Sequence, residues 1–248
     1  MTAIFKTIVA CAKRLTAPLR EFGFGLGVLY LLDRSLRALS SAWGIYPYAF
    51  VVQPIPEKPL LPPMMSKHGR AERLTPSSPW LSEAPLASSV FAERLARGDC
   101  GVVALRKEQL LGYAWWSAKG YFEQEVRCTF EVEDAARAVF DFDVYVRPEH
   151  RMGLGFIAVW DALSEELRQG RVELTYSRIS RFNLASLRAH SRFGAKEVGR
   201  VVFMRAGGLT LAVSAQFPFL RIGMGDGLQL RLSLGKAGLT WLTSRGRS

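Results

Sequence analysis

The stretch F-D-F-D-V-Y-V at 140–146, which runs on into H-R-M-G-L-G at 150–155, decides how this chain is read. Its residues alternate at a period of two, so it is a strand. Phe140, Phe142, Val144 and Val146 fall on one face, and Asp141, Asp143, Tyr145 and Arg147 on the other. A central strand of an α/β sheet is ordinarily apolar on both faces. Two carboxylates on one face therefore need a reason, either a wet cleft or ion pairs with arginines. The glycine-bearing turn after the strand opens an amphipathic segment. A strand feeding such a turn at a helix start brings backbone N–H groups and the positive end of the helix dipole to one spot, which suits a phosphate-bearing cofactor.

Downstream, Ile157, Trp160, Leu163 and Leu167 recur at helical spacing within 154–169, and Gly170 stands where a C-terminal cap belongs. A second strand, V-E-L-T-Y-S-R-I-S, follows at 172–180. Then comes N-L-A-S-L-R-A-H-S-R-F-G at 183–194. Asn183 is a good N-cap there, Leu184 and Leu187 are the expected buried face, and Gly194 ends the helix.

In that order the elements resemble the GNAT superfamily of acyl-coenzyme A-dependent N-acyltransferases. The family pattern R/Q-x-x-G-x-G/A is met by His150, Arg151, Met152, Gly153, Leu154 and Gly155, with His in place of Gln or Arg and the turn one residue short. The pattern N-x-x-A/S-x-x-x-Y-x-x-x-G is met in register by Asn183, Ser186, His190 and Gly194. The resemblance is clear over roughly 100–206. It implies an α+β or α/β fold with a mixed central sheet flanked by helices, two parallel strands that splay apart, and acetyl-CoA or another acyl-CoA as cosubstrate. It also implies that amides from Val144 to Val146 hold the pantetheine and acyl carbonyl. Amides from about Arg151 to Phe156 hold the pyrophosphate. His150 could hydrogen-bond a phosphate or sit exposed in the turn; Asn183 could hydrogen-bond the pantetheine, cap the helix or do both, with Ser186 beside it at the cofactor. His190 occupies the place where the family often has a tyrosine acid. Histidine can donate a proton near neutral pH, although it could equally pack on its helix. Asp143 or Asp141 is the candidate base, and Tyr145 the next proton donor after His190.

Composition bounds the rest. The chain has 248 residues, 49% of them hydrophobic, enough for one large domain with extensions. It carries 33 Lys and Arg against 22 Asp and Glu, a net charge of +11. The excess favours an anionic ligand, yet no lysine-rich tail or basic repeat points to nucleic acid. Cys11, Cys100 and Cys128 are widely separated, as are His68, His150 and His190; neither set has metal-ligand spacing. No metal is expected. The apolar run at 22–32 is shorter than the ~20 residues that span a bilayer, so the expectation is a cytoplasmic protein.

Residues 3–40 read as helix, broken at Pro18 and at glycines 23, 25 and 27, with a stripe of Leu26, Leu29, Tyr30, Leu36 and Leu39. This 1–44 extension packs on its own domain or a second subunit, or lies on a membrane surface. The acyltransferase domain is read as 45–215 and a β-rich extension as 216–248, whose L-R-I-G-M-G-D-G-L-Q-L-R-L-S-L could form a further hairpin. Five prolines make 54–63 an extended connector. Val102–Leu105 and Leu111–Ser117 read as a hairpin turning near 107–109. Trp115, Trp116, Tyr121 and Phe122 could wall an acceptor site, but ordinary sheet packing explains them as well. The resemblance implies a small-molecule or peptide amine as acceptor. A competing reading keeps the fold and gives up the catalysis, leaving an interaction module.

Overall fold

The computed structural model describes residues 16–62, 69–151, 154–233 and 238–242. Met152 and Gly153 of the glycine turn lie outside them, as do Cys11, His68 and the first part of the N-terminal helical stretch. The helix resumes after Gly23, which sits at φ 77, as α1 (Phe24–Leu39). The break thus falls at Gly23 only, and Gly25 and Gly27 continue the helix. Gly27 is buried where a Cβ would meet the Leu19 Cα at 2.7 Å, so a glycine is required for this close contact.

Among the described residues thirteen strands follow: β1 (Trp43–Pro54), β2 (Gly69–Arg73), β3 (Cys100–Arg106), β4 (Gln109–Ser117), β5 (Tyr121–Glu123), β6 (Cys128–Val132), β7 (Ala138–Val146), β8 (Leu174–Ser180), β9 (Lys196–Ala206), β10 (Leu209–Ser214), β11 (Leu220–Met224), β12 (Leu228–Leu232) and β13 (Leu239–Trp241). Helix α2 (Ser88–Arg97) precedes β3, α3 (Gly155–Gln169) joins β7 to β8, and α4 (Leu184–Arg192) joins β8 to β9. Nine strands form one mixed sheet in the order β11-β10-β9-β1-β8-β7-β4-β3-β2. Among its described strands only β7 and β8 pair in parallel, as the crossover through α3 requires. The mixed sheet with helices expected from the sequence is therefore present.

A second sheet, in the order β13-β12-β6-β5, was not expected. It covers one face of the large sheet. Phe130, Leu228, Leu230, Leu232 and Trp241 pack there with Phe50, Phe140 and Phe203. Helix α3 covers the other face through Val159, Trp160, Leu163 and Leu167 against Val102, Ala104 and Val139. Two buried faces explain why β1 and β3 read as unbroken apolar runs. The tail hairpin needs correction. β11 pairs with β10, while β12 pairs with β13 and, in parallel, with β6. The turn at 225–227 thus carries the chain from one sheet to the other, because Leu228, Leu230 and Leu232 find their apolar partners in the second sheet.

The N-terminal helix packs on its own sheet. Asp33 of α1 is buried and accepts the Ile45 N–H at 2.8 Å and the Arg37 guanidinium at 2.9 Å. Among the described residues no helix is long and apolar enough to cross a membrane.

Candidate functional site

The parallel pair is the place where the large sheet comes apart. β8 pairs with β1 over seven residues, from Tyr48↔Ser180 to Pro54↔Leu174. Its pairing with β7 covers only Ala138↔Leu174, Val139↔Thr175 and Phe140↔Tyr176. Both strands continue beyond that point without meeting. The gap is lined by Asp141, Phe142, Asp143 and Val144 from one side and 177–180 from the other. Asn183, Ser186 and His190 of the α4 region close it on one flank.

A bulge in β7 shapes this opening and corrects the facing read from the sequence. On β4, Tyr113 pairs with Tyr145 but Trp115 pairs with Phe142, so β7 holds one extra residue there. Asp143 sits at φ 50, the left-handed region that Asp tolerates better than most residues. Beyond the bulge the alternation is inverted. Phe140, Phe142 and Tyr145 join the aromatic core on the second-sheet side, and Val139, Val144 and Val146 face α3. Asp143 turns to the aromatic side, where Arg94 of α2 donates to it at 2.6 Å. Arg94 itself lies over the rings of Trp115 and Phe142. Asp141 stays on the α3 side. The expected pair of carboxylates on one face is split between two faces. Gly112 of β4 allows the bulge, since a Cβ there would stand 2.1 Å from the Tyr145 carbonyl oxygen.

Asp141 is 2% exposed. Burial pushes its carboxyl up to about 7, against the pull of the Thr175 and Ser177 hydroxyls. The Thr175 hydroxyl stands close enough to favour the ionised form but falls short of a hydrogen bond. Thr175 Oγ1 and Asp141 Oδ1 are both buried with no hydrogen-bond partner among the described residues.

His190 is also buried. Its Nδ1 lies 3.0 Å from Gln53 Oε1, an amide oxygen that accepts, so this nitrogen carries the proton. Its ring meets Phe156 and Trp160 edge-on at 5.3 Å each. Burial pushes its pKa down to about 4, so the imidazole is neutral at pH 7. The expected apolar face of α4 needs correction as well: Leu184 and Leu187 are half-buried, and His190 is the residue turned fully inward. Asn183 caps the helix by accepting the Ser186 N–H at 3.0 Å, and its side chain borders the gap.

The end of β7 leads to the helix start. Arg151 Nε donates to the Val146 carbonyl at 2.9 Å. Gly155 opens α3 so close to this turn that a Cβ would lie 2.6 Å from the His150 carbonyl oxygen. Among the described residues no side chain caps the helix. Its first-turn N–H groups, including those of Gly155 and Phe156, lack intrahelical acceptors. His150 and Leu154 border a separate groove beside Leu105 and Leu111. Val146 packs behind Gly155, and Tyr145 stacks on Tyr113 at 5.1 Å; neither lines the gap. The structure thus brings Asp141, Asp143, Val144, Asn183, Ser186 and His190 together and leaves Tyr145, Val146, His150 and Leu154 outside.

Several lining residues escaped the sequence reading. Arg178 of β8 pairs with buried Glu123 of β5 and lies over Tyr48. Of the aromatic residues that could wall an acceptor site, Tyr121 stacks on Phe142 at 4.2 Å and does border the gap. Trp115 and Trp116 belong instead to the two cores. The polar side chains Thr175, Ser177 and Gln53, interrupting otherwise apolar strands, were the available signal; for Arg94 there was none. Among the described residues no group of three or more His, Cys, Asp or Glu could hold a metal ion.

No protein-family model matches the chain, and no curated protein matches it. Solved structures that resemble it in part include a tandem GNAT protein from the clavulanic acid biosynthesis pathway, at 17% identity and TM-score 0.45 over 70% of this chain and 57% of that one. Another is a GNAT-family acetyltransferase assignment from Novosphingobium aromaticivorans, at 16% identity and TM-score 0.41 over 62% and 60%. A third is a GCN5-related N-acetyltransferase from Sphaerobacter thermophilus, at 14% identity and TM-score 0.43 over 73% and 56%. The chain thus spans under two thirds of the length of these three structures.

Proposed function

We propose that this chain is an acyl-coenzyme A-dependent N-acyltransferase of GNAT type, with the acyl thioester lying in the gap between β7 and β8. The observation that carries this reading is the parallel pair that stops after three residues while both strands run on. Unpaired strand edges inside a domain leave backbone N–H and C=O groups that need partners. An extended chain rich in amides, such as pantetheine, meets that need. The uncapped start of α3, at the end of the strand bordering the gap, suits a pyrophosphate.

Bound acyl-CoA supplies a thioester carbonyl that an amine can attack. The residues of this chain then have separate roles. Asp141, with a carboxyl tuned to about 7, takes the proton that the amine must lose; a base is most useful when its pKa lies near the working pH. Asp143 and Arg94 hold the acceptor. His190 is neutral and serves as a wall beside Phe156 and Trp160, since an imidazole with a pKa of about 4 is not charged at pH 7. A thiol pKa of ~8.5 lets the thiolate leave without a dedicated acid.

Calorimetric titration with acetyl-CoA tests this. Wild type should bind, and Gly155→Asp should weaken binding roughly 10–100-fold, from overpacking of about 1–3 kcal/mol and the added charge. No binding by the wild type, or full affinity in a folded Gly155→Asp protein, refutes the reading. The non-catalytic interaction module draws on another observation, the exposed apolar row Leu220, Ile222 and Met224 on edge strand β11. The same titration separates the two.

A further inference from the structure

We infer that the acceptor is an amine that also carries a carboxylate, gripped by Arg94 and Arg178 on the side of the gap away from α4. This rests on the acyltransferase reading above and goes on to the substrate class. The wall on that side is made by Leu86, Arg94, Tyr121, Asp143 and Arg178. Two guanidiniums from different elements, one on α2 and one on β8, face one small space. Their side chains are only 12% and 27% exposed. Taking a charge out of water is costly, and partial pairing does not repay it in full.

Neither guanidinium is fully used. Arg94 donates to Asp143 through Nη1 alone, and among the described residues it makes no other hydrogen bond. A guanidinium has five N–H donors in a planar fork. Its position over the rings of Trp115 and Phe142, at 5.2 and 5.3 Å, fixes the plane of that fork. Arg178 turns Nε and Nη2 to Glu123 and lies over Tyr48 at 4.9 Å; its Nη1 makes no hydrogen bond among the described residues. Forks of this kind match a carboxylate in two-point contact.

The opposite charge is provided for in the same space. Asp141 and Asp143 border the gap from the neighbouring strand, so an ammonium meets carboxylates while its carboxylate meets guanidiniums. A polycation would set its second charge against Arg94 or Arg178, and like charges brought together disfavour the wrong partner. Polyamines and lysine-rich peptides are therefore excluded by charge.

The test compares the common amino acids with the amines left when each loses its carboxyl group, with spermidine as the polycation, using acetyl-CoA and thiol release as the readout. At least one amino acid should exceed its decarboxylated partner in kcat/KM by roughly 10–100-fold, as the loss of a charged hydrogen bond implies. Arg94→Lys keeps a positive charge opposite Asp143 and loses the fork. It should lower kcat/KM for the amino acid more than for its decarboxylated partner, and so shrink that preference. The wild-type comparison stands if this variant fails to fold. Preference for the decarboxylated amines or spermidine overturns the inference, and so does acetyl-CoA binding with transfer to no amino acid. Absence of acetyl-CoA binding would instead refute the acyltransferase reading itself.

Discussion

Asp141 and Asp143 stand two residues apart on one strand and live in different surroundings. Asp141 faces α3, buried, with one oxygen lacking a partner among the described residues and its carboxyl pushed up to about 7. Asp143 faces the aromatic side, part-exposed, and is engaged by Arg94. The cause of the difference is one extra backbone residue, the bulge that places Asp143 at φ 50. A regular strand would put both carboxylates on the same face as near-equivalent groups. The bulge separates them into one that can exchange a proton near neutral pH and one that can orient a ligand.

The largest effect should come from removing the buried carboxylate. Asp141→Asn is expected to lower kcat by roughly 10²–10⁴, the usual worth of a general base, with acetyl-CoA affinity unchanged by calorimetry. Asp143→Asn should act mainly on KM for the acceptor. Equal kcat losses in the two variants would dissolve the distinction between them.

A smaller effect probes the bulge. Asp143→Val puts a β-branched residue in the left-handed region and should cost about 1–2 kcal/mol more than Asp143→Asn. Urea unfolding reads this directly, and equal stability of the two would mean that the backbone at 143 is not held in that conformation.

A further effect lies in the pH dependence of stability, where two buried groups oppose each other. Asp141 has a folded pKa of about 7, above its unfolded value of ~3.9. Its contribution is fully present below the unfolded pKa and is lost as pH rises through 7. His190 has a folded pKa of about 4, below its unfolded ~6.5. The unfolded chain then binds the extra proton, so stability is lost as pH falls from about 6.5 to 4. The slopes cancel in part over that window. Asp141→Asn should unmask a stability that rises with pH there, seen as a steeper climb in unfolding free energy than in the wild type. Parallel curves would show that Asp141 titrates normally.

Much of the fold was legible because its signals are local. Gly98 at φ 84 ends α2, as a glycine past the last helical turn commonly does. Lys107 and Glu108, both at positive φ, make the tight turn between β3 and β4. Asn183 caps α4 as its residue type suggests. The second sheet was not legible, since β6 meets β12 about a hundred residues away and the apolar alternation of Leu228, Leu230 and Leu232 does not say which partner it wants. The site was half legible. The two explanations weighed for carboxylates on a central strand, a cleft and an ion pair, are both realised, one for each aspartate. The split could not be seen, because a bulge leaves the letters of F-D-F-D-V-Y-V alternating while the backbone beneath them does not. Arg94 arrives from a helix whose sequence carries no mark of the role.

The most direct test of this division is the pH profile of kcat at saturating acetyl-CoA and acceptor for the wild type, Asp141→Asn and Asp143→Asn. The wild type and Asp143→Asn should share a limb that rises through an apparent pKa of about 7, the carboxyl value of Asp141, and Asp141→Asn should lack it. A limb that persists in Asp141→Asn, or that disappears in Asp143→Asn, would contradict the assignment of the buried carboxylate as the base.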